Sequence, residues 1–161
     1  WQFLLDNLNY NNCITPLREY NKIVGELLFN YAGEIRTIPV QIGGTTCEPE
    51  LPHTGIIIEN IAEIDKIKDI ETKALKFFCY IARTQMFIDG NKRVAQLMAN
   101  KILIENDIGI FQIPIEKLEE FKELLISFYE SGNDTTFIKY MKEHCIKRVY
   151  RIFKRCNNCR A

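Results

Sequence analysis

Residues 85–96 read Gln85-Met86-Phe87-Ile88-Asp89-Gly90-Asn91-Lys92-Arg93-Val94-Ala95-Gln96. Before them, Ile70, Ala74, Leu75, Phe77, Phe78, Ile81 and Ala82 form a broad apolar stripe that predicts a core helix over 70–85. After them, Val94, Leu97, Met98, Ile102 and Leu103 predict a second helix over 91–106. The quoted run is therefore the junction between two helices, where Gly90 permits a sharp turn and the first unpaired N–H groups of the second helix lie just beyond. An acid, an amide and two cations at such a place suit a polyphosphate. The backbone donors around Gly90, the Asn91 amide, Lys92 and the Arg93 guanidinium would meet its oxygens, and Asp89 would hold a bridging Mg²⁺. Arg93 and Gln96 are three apart and share a face near that end. Asp-Gly-Asn at a helix start is also ordinary turn punctuation, so these residues alone leave a plain turn equally open.

Working outward, Pro16 to Asn30 carries Leu17, Tyr20, Ile23, Val24, Leu27 and Leu28 on one face, with Thr15 as N-cap, and predicts another helix. Ile35 to Ile42 alternates, contains Pro39 and reaches Gly43-Gly44, which predicts a small hairpin with edge strands. Helical character resumes over about 56–66, 115–130 and from Asp134 into the tail. The stripe of Ile146, Val149, Tyr150 and Phe153 carries that last helix to about residue 155. No repeat of solenoid period and no low-complexity segment interrupts the pattern. The expected fold class is all-α, a helical bundle with one small β-hairpin, in a single domain over 1–161. Its core covers about 15–145, and a basic C-terminal helix and tail occupy 146–161.

Composition narrows the function classes. With 47% hydrophobic and 26% charged residues, the 161-residue chain can bury one sizeable core and lacks the bias of a disordered chain. No long apolar stretch is free of charge, so no membrane span is expected, and the start Trp1-Gln2-Phe3-Leu4-Leu5-Asp6 has no basic n-region of a signal peptide. A cytoplasmic location is the default, and Cys13, Cys47, Cys79 and Cys145 are read as reduced thiols. Cys156 and Cys159 form one C-x-x-C. Only the adjacent pair His144 and Cys145 lies near enough to complete a site, so a polar tail is expected rather than zinc. Net charge is zero, yet Lys147, Arg148, Arg151, Lys154, Arg155 and Arg160 make the tail basic with no acid among them. A solvated helix end explains this best, with contact through 147–160 to nucleic acid, to an acidic patch of this domain or to a following domain as the alternatives.

The 85–96 run resembles the signature of the Fic (Fido) family, His-x-Phe-x-Asp/Glu-Gly-Asn-x-Arg-x-x-Arg, at Phe87, Asp89, Gly90, Asn91 and Arg93. Ala32 to Val40 is similar to the segment that enters the family's β-hairpin flap, and the likeness covers roughly 15–145. Membership would imply transfer of a nucleotide-derived phosphoryl group, usually AMP from ATP, to a Ser, Thr or Tyr hydroxyl of a target protein. By the same resemblance, Asp89 would hold Mg²⁺, and Gly90, Asn91, Lys92, Arg93 and Gln96 would line the nucleotide site. The flap, at Thr37, Ile38, Val40, Gln41, Thr45 and Thr46, would hold an extended stretch of the target by main-chain pairing.

Two departures set the chemical expectation. Gln85 stands where the family has the histidine that takes the hydroxyl proton, and an amide cannot take up a proton near neutral pH. Gln96 replaces the second arginine. Loss of a general base costs about 10²–10⁴-fold, so a site that binds nucleotide but transfers weakly or not at all is expected. His53 and His144 are the only histidines that could substitute, and both read primarily as surface or loop residues. The family's inhibitory Ser/Thr-x-x-x-Glu-Gly/Asn element has no clean copy, because Tyr20 follows Thr15 to Glu19 and Thr54 to Glu59 is one residue too long. Two alternatives remain: an active variant with another base or phosphoryl donor, and a non-enzymatic module that binds protein or nucleic acid.

Overall fold

The computed structural model describes residues 1–148, so most of the basic tail and the Cys156/Cys159 pair lie outside the described residues. Seven α-helices are present there: α1 (Gln2–Asp6), α2 (Ile14–Gly25), α3 (Thr54–Asp65), α4 (Ile70–Thr84), α5 (Asn91–Glu105), α6 (Leu118–Ser131) and α7 (Thr135–His144). A 3₁₀ turn at Ile115–Lys117 leads into α6. The expected all-α class with one small β element is what the structure has.

Helices α4 and α5 form the heart of the bundle. Helix α4 buries Ala74, Leu75, Phe77, Phe78, Cys79, Ile81 and Ala82, and α5 buries Val94, Ala95, Met98, Ala99, Ile102 and Leu103. Each large side chain so removed from water stabilises the fold by about 1.5–3 kcal/mol before entropy is counted. Phe78 extends the core sideways, with its ring centroid 5.0 Å from Phe111, 6.3 Å from Phe121 and 6.2 Å from Phe137. Helix α2 packs on α5 through Leu17 and Tyr20, while α7 closes the opposite side with Phe137, Ile138 and Met141. This pairing holds the α4–α5 junction at one end of a rigid helix pair.

Three expectations are corrected. Helix α2 stops at Gly25 rather than near Asn30, because the Phe29 ring folds back over Gly25, where a Cβ would come within 2.3 Å of it. Leu27 and Leu28, expected inward, are consequently exposed. The helix start also differs, since Cys13 is the cap residue and Thr15 lies within the first turn. The strands lie elsewhere than expected: β1 (Gly109–Phe111) pairs antiparallel with β2 (Ile146–Arg148), with Ile110 opposite Lys147. Residues 146–148 therefore leave the helix that was expected to run past them. Gly109 makes the pairing feasible, since a Cβ there would lie 2.2 Å from the Lys147 carbonyl oxygen.

Residues 35–51 fold back at Gly43-Gly44 but form no strand ladder. One bond crosses between the arms, from Ile42 N–H to the Cys47 carbonyl at 3.4 Å. Side chains hold this hairpin-shaped flap instead. The Arg36 guanidinium takes the carbonyls of Ile38 (2.8 Å), Pro49 (3.2 Å) and Glu50 (2.6 Å). At the tip, the Glu130 carboxylate accepts from Thr46 N–H and its hydroxyl, at 2.6 and 2.5 Å. Pro39 contributes no N–H, which also works against a ladder.

Candidate functional site

Gln85 ends α4 in the left-handed region, with φ 47° and ψ 54°, a conformation uncommon outside glycine and costing about 1–2 kcal/mol. It persists because its surroundings hold every polar part of it. Its N–H donates to Ile81 O at 3.3 Å, its side-chain Nε2 to Ala82 O at 2.5 Å, and its carbonyl accepts from Arg36 Nε at 2.5 Å. Its Oε1 accepts from Asn91 Nδ2 at 3.1 Å. The Gln85 side chain is thus an anchored amide, which cannot take up a proton near neutral pH.

Asn91 is buried and serves the junction itself. Its Oδ1 accepts from Phe87 N–H at 2.9 Å, and its Nδ2 donates to Phe87 O at 2.8 Å as well as to Gln85. Both amide hydrogens are spent, so the side chain shapes the loop that a phosphate would meet. Gly90 is fixed twice over, by φ 82° and by space, because a Cβ would lie 2.9 Å from Asn21 Nδ2 and 3.1 Å from Val24 Cγ1. Asn21, fully buried, ties the junction to the approach of the flap: it donates to Asp89 O at 2.8 Å and accepts from Gly33 N–H at 2.7 Å.

Beyond Gly90 the first turn of α5 is open. The first intrahelical bond is Val94 N–H to Gly90 O at 2.9 Å, no side chain caps the helix, and its first turn contains no acid. The N–H groups of Asn91, Lys92 and Arg93 therefore precede the helix's own bonding, at the positive end of its dipole, beside two cations. Lys92 is exposed. Arg93 is half exposed, pairs with Asp89 Oδ2 at 3.1 Å and reaches Val24 O at 3.5 Å. Gln96 is half-buried on the same face, its carbonyl accepts from Asn100 Nδ2 at 2.9 Å, and its side chain makes no hydrogen bond among the described residues. Such a helix start is complementary to an anion.

Among the described residues no group of three His, Cys, Asp or Glu side chains could hold a metal. Asp89 alone offers a carboxylate here. It is well exposed, and its Oδ1 accepts from Gly90 N–H at 2.5 Å. One carboxylate suits Mg²⁺, which usually keeps several waters and completes its shell with substrate phosphates, and does not suit a metal needing a protein cage.

The flap meets the expectation in part. Thr37, Ile38 and Gln41 are exposed and Val40 is half-buried, and the main-chain groups of Thr37, Val40 and Gln41 have no hydrogen-bond partner among the described residues. Thr45 and Thr46 are engaged internally, Thr45 through its hydroxyl to Ile42 O at 2.9 Å and Thr46 with Glu130. The free main-chain groups thus lie within 37–41, where only the Ile38 carbonyl is taken, by Arg36. His53 caps α3 and lines a separate cleft, whose walls include none of residues 85–96, and His144 packs on Tyr140 with ring centroids 4.8 Å apart. Neither is brought to the junction as a replacement base.

Arg36 went unrecognised in the sequence. It is 3% exposed and has no carboxylate partner among the described residues, and its burial lowers the pKa of its guanidinium. Its backbone N–H also donates to Met86 O at 3.0 Å, so one residue pins both arms of the flap to the junction. A basic residue ahead of alternating apolar positions gives no local sign of carbonyls gathered from 38, 49, 50 and 85. Asn21 and Glu130 were equally silent.

No curated protein matches the chain. The Fic/DOC family model, by contrast, matches residues 13–103, a span running from the cap of α2 through the flap, α4 and the junction almost to the end of α5. Matched over more than half of its length, the chain belongs to the Fic/DOC family.

Proposed function

We propose that the junction binds the phosphates of a nucleotide, ATP in the first instance, and that the protein transfers its nucleotidyl group to a target hydroxyl weakly or not at all. One observation carries this reading: the uncapped, acid-free start of α5 stands beside an anchored Gln85. The N–H groups of Asn91, Lys92 and Arg93, with the Lys92 and Arg93 side chains, hold the phosphate oxygens. Asp89 would hold Mg²⁺, which would supply neutralisation of phosphate charge. Phosphoryl transfer depends largely on positioning and electrostatics, and these groups would provide both.

The missing function is proton removal. A target hydroxyl delivered along the 37–41 edge would find the Gln85 amide, which can orient it by accepting a hydrogen bond but cannot take its proton. At Gln96 the second guanidinium clamp is also absent. Transfer of labelled ATP onto lysate proteins, compared among the native chain, Gln85→His and Gln85→His with Gln96→Arg, tests the reading. We expect the double substitution to exceed the native chain by about 10²-fold or more. Native transfer at the level of the double substitution would contradict it.

A further inference from the structure

A cleft of about 660 Å³ opens behind the flap, bounded by the 47–53 loop, α3, α4 and the turn between α6 and α7. It shares no residue with the α4–α5 junction, and its volume lies within the range of small-ligand sites. The walls are apolar at Leu51, Ile56, Ile57 and Phe128, and Leu51 and Ile56 are about half exposed at its edge. Polar groups converge on one side. The Tyr80 hydroxyl accepts from Asn60 Nδ2 at 3.4 Å, and Thr84 lines the same side.

Charge inside the cleft is not balanced. Lys76 and Asp134 neutralise each other at 2.8 Å. Arg83 forms no ion pair among the described residues: its Nε donates to Tyr129 O at 3.3 Å, and its two terminal nitrogens donate to nothing. The guanidinium lies over Gly132, where a Cβ would stand 3.2 Å from Nη2, so the absence of a side chain there leaves room for it. Glu48 and Glu50 sit on the exposed rim, where water screens them. The interior therefore presents an apolar wall and one half-buried, unspent guanidinium, whose planar fork matches a carboxylate.

We propose that this cleft is a second binding site, for a carboxylate carried on an apolar body, with Arg83 as its anion-binding residue. Two sources share that chemistry: a free aryl or alkyl carboxylate, and an acidic residue beside a bulky apolar one in a peptide. The probes are 4-phenylbutyrate for the first and the blocked peptide acetyl-Ala-Phe-Glu-Ala-amide for the second, each titrated into the full chain and followed by amide chemical shifts. The uncharged 4-phenylbutan-1-ol is the control. We expect at least one carboxylate to bind saturably, about tenfold or more tightly than the alcohol, with shifts at Tyr80 and Thr84 and without competition from inorganic phosphate. The tighter probe identifies the source. Arg83→Gln should erase the preference for the acid while leaving binding of the alcohol unchanged. Arg83→Lys, which keeps the charge and loses the fork, should retain part of the preference and decides the matter if Arg83→Gln does not fold. Equal affinity for acid and alcohol, an undiminished preference in the folded Arg83→Gln protein, or shifts confined to residues 89–93 would overturn the proposal.

Discussion

Helices α4 and α5 have the same length, 15 residues each, and opposite beginnings. At the start of α4, Asp69 accepts from Thr72 N–H at 2.7 Å, Glu71 adds a second acid in the first turn, and Lys142 pairs with Asp69 at 2.6 Å. At the start of α5 a left-handed glycine replaces the cap, no acid follows, and Lys92 and Arg93 oppose the dipole. Helix α4 thus has its free donors answered from within the chain. Helix α5 leaves them without a side-chain cap, a local instability that a bound anion would relieve.

The largest expected effect comes from detaching the junction that sets up the open start. Arg36→Leu removes the donors to four carbonyls and leaves the buried position without its hydrogen bonds, and should destabilise the protein by about 3 kcal/mol, read by denaturant unfolding. Amide exchange should accelerate at residues 85–93 well before it does at the start of α4. Gly90→Ala strikes the same junction more locally. It forces a side chain into φ 82° and against Asn21, and should cost about 1–2 kcal/mol while abolishing phosphate binding.

At the self-satisfied end, Asp69→Ala should cost about 1–2 kcal/mol and leave nucleotide binding unchanged. The same carboxylate gives a pH test. Hydrogen bonds from Lys142 and Thr72 pull the Asp69 pKa down to about 2. A pKa depressed by folding means stability that is complete above the ordinary carboxylate range and lost as pH falls toward 2. Asp69→Asn should flatten the acid limb of the stability curve between about pH 4 and pH 2, only modestly because the pair is exposed. The smallest effect is the most discriminating. Lys92→Glu places an acid in the first turn of α5 and should raise stability by about 0.5 kcal/mol while weakening ATP binding. The converse change at the start of α4, Glu71→Lys, should lower stability and leave binding alone.

Much of this contrast was legible in the residues. The stripes flanking 85–96 placed both helices within a residue of their ends, and Asp89-Gly90-Asn91 marked the open start. The depth of the junction was not legible. Asn91 reads as a phosphate ligand in sequence, yet its amide is consumed by Phe87 and Gln85, partners that exist only once the loop closes. Arg36 could not be recognised because its carbonyls come from four separate positions. The end of α2 depended on a ring folding over Gly25, and the β1–β2 pairing joins three-residue segments far apart in the chain. Periodicity reports what repeats along the chain, and these features rest on single tertiary contacts.

The contrast between the two helix starts is tested most directly by titrating the native protein with ATP and Mg²⁺ while following the backbone amides of both. Saturable binding with its largest shifts at Asn91, Lys92 and Arg93, and little change at 70–73, is the predicted result. Absence of binding at millimolar ATP, or shifts that leave 91–93 untouched, would contradict it.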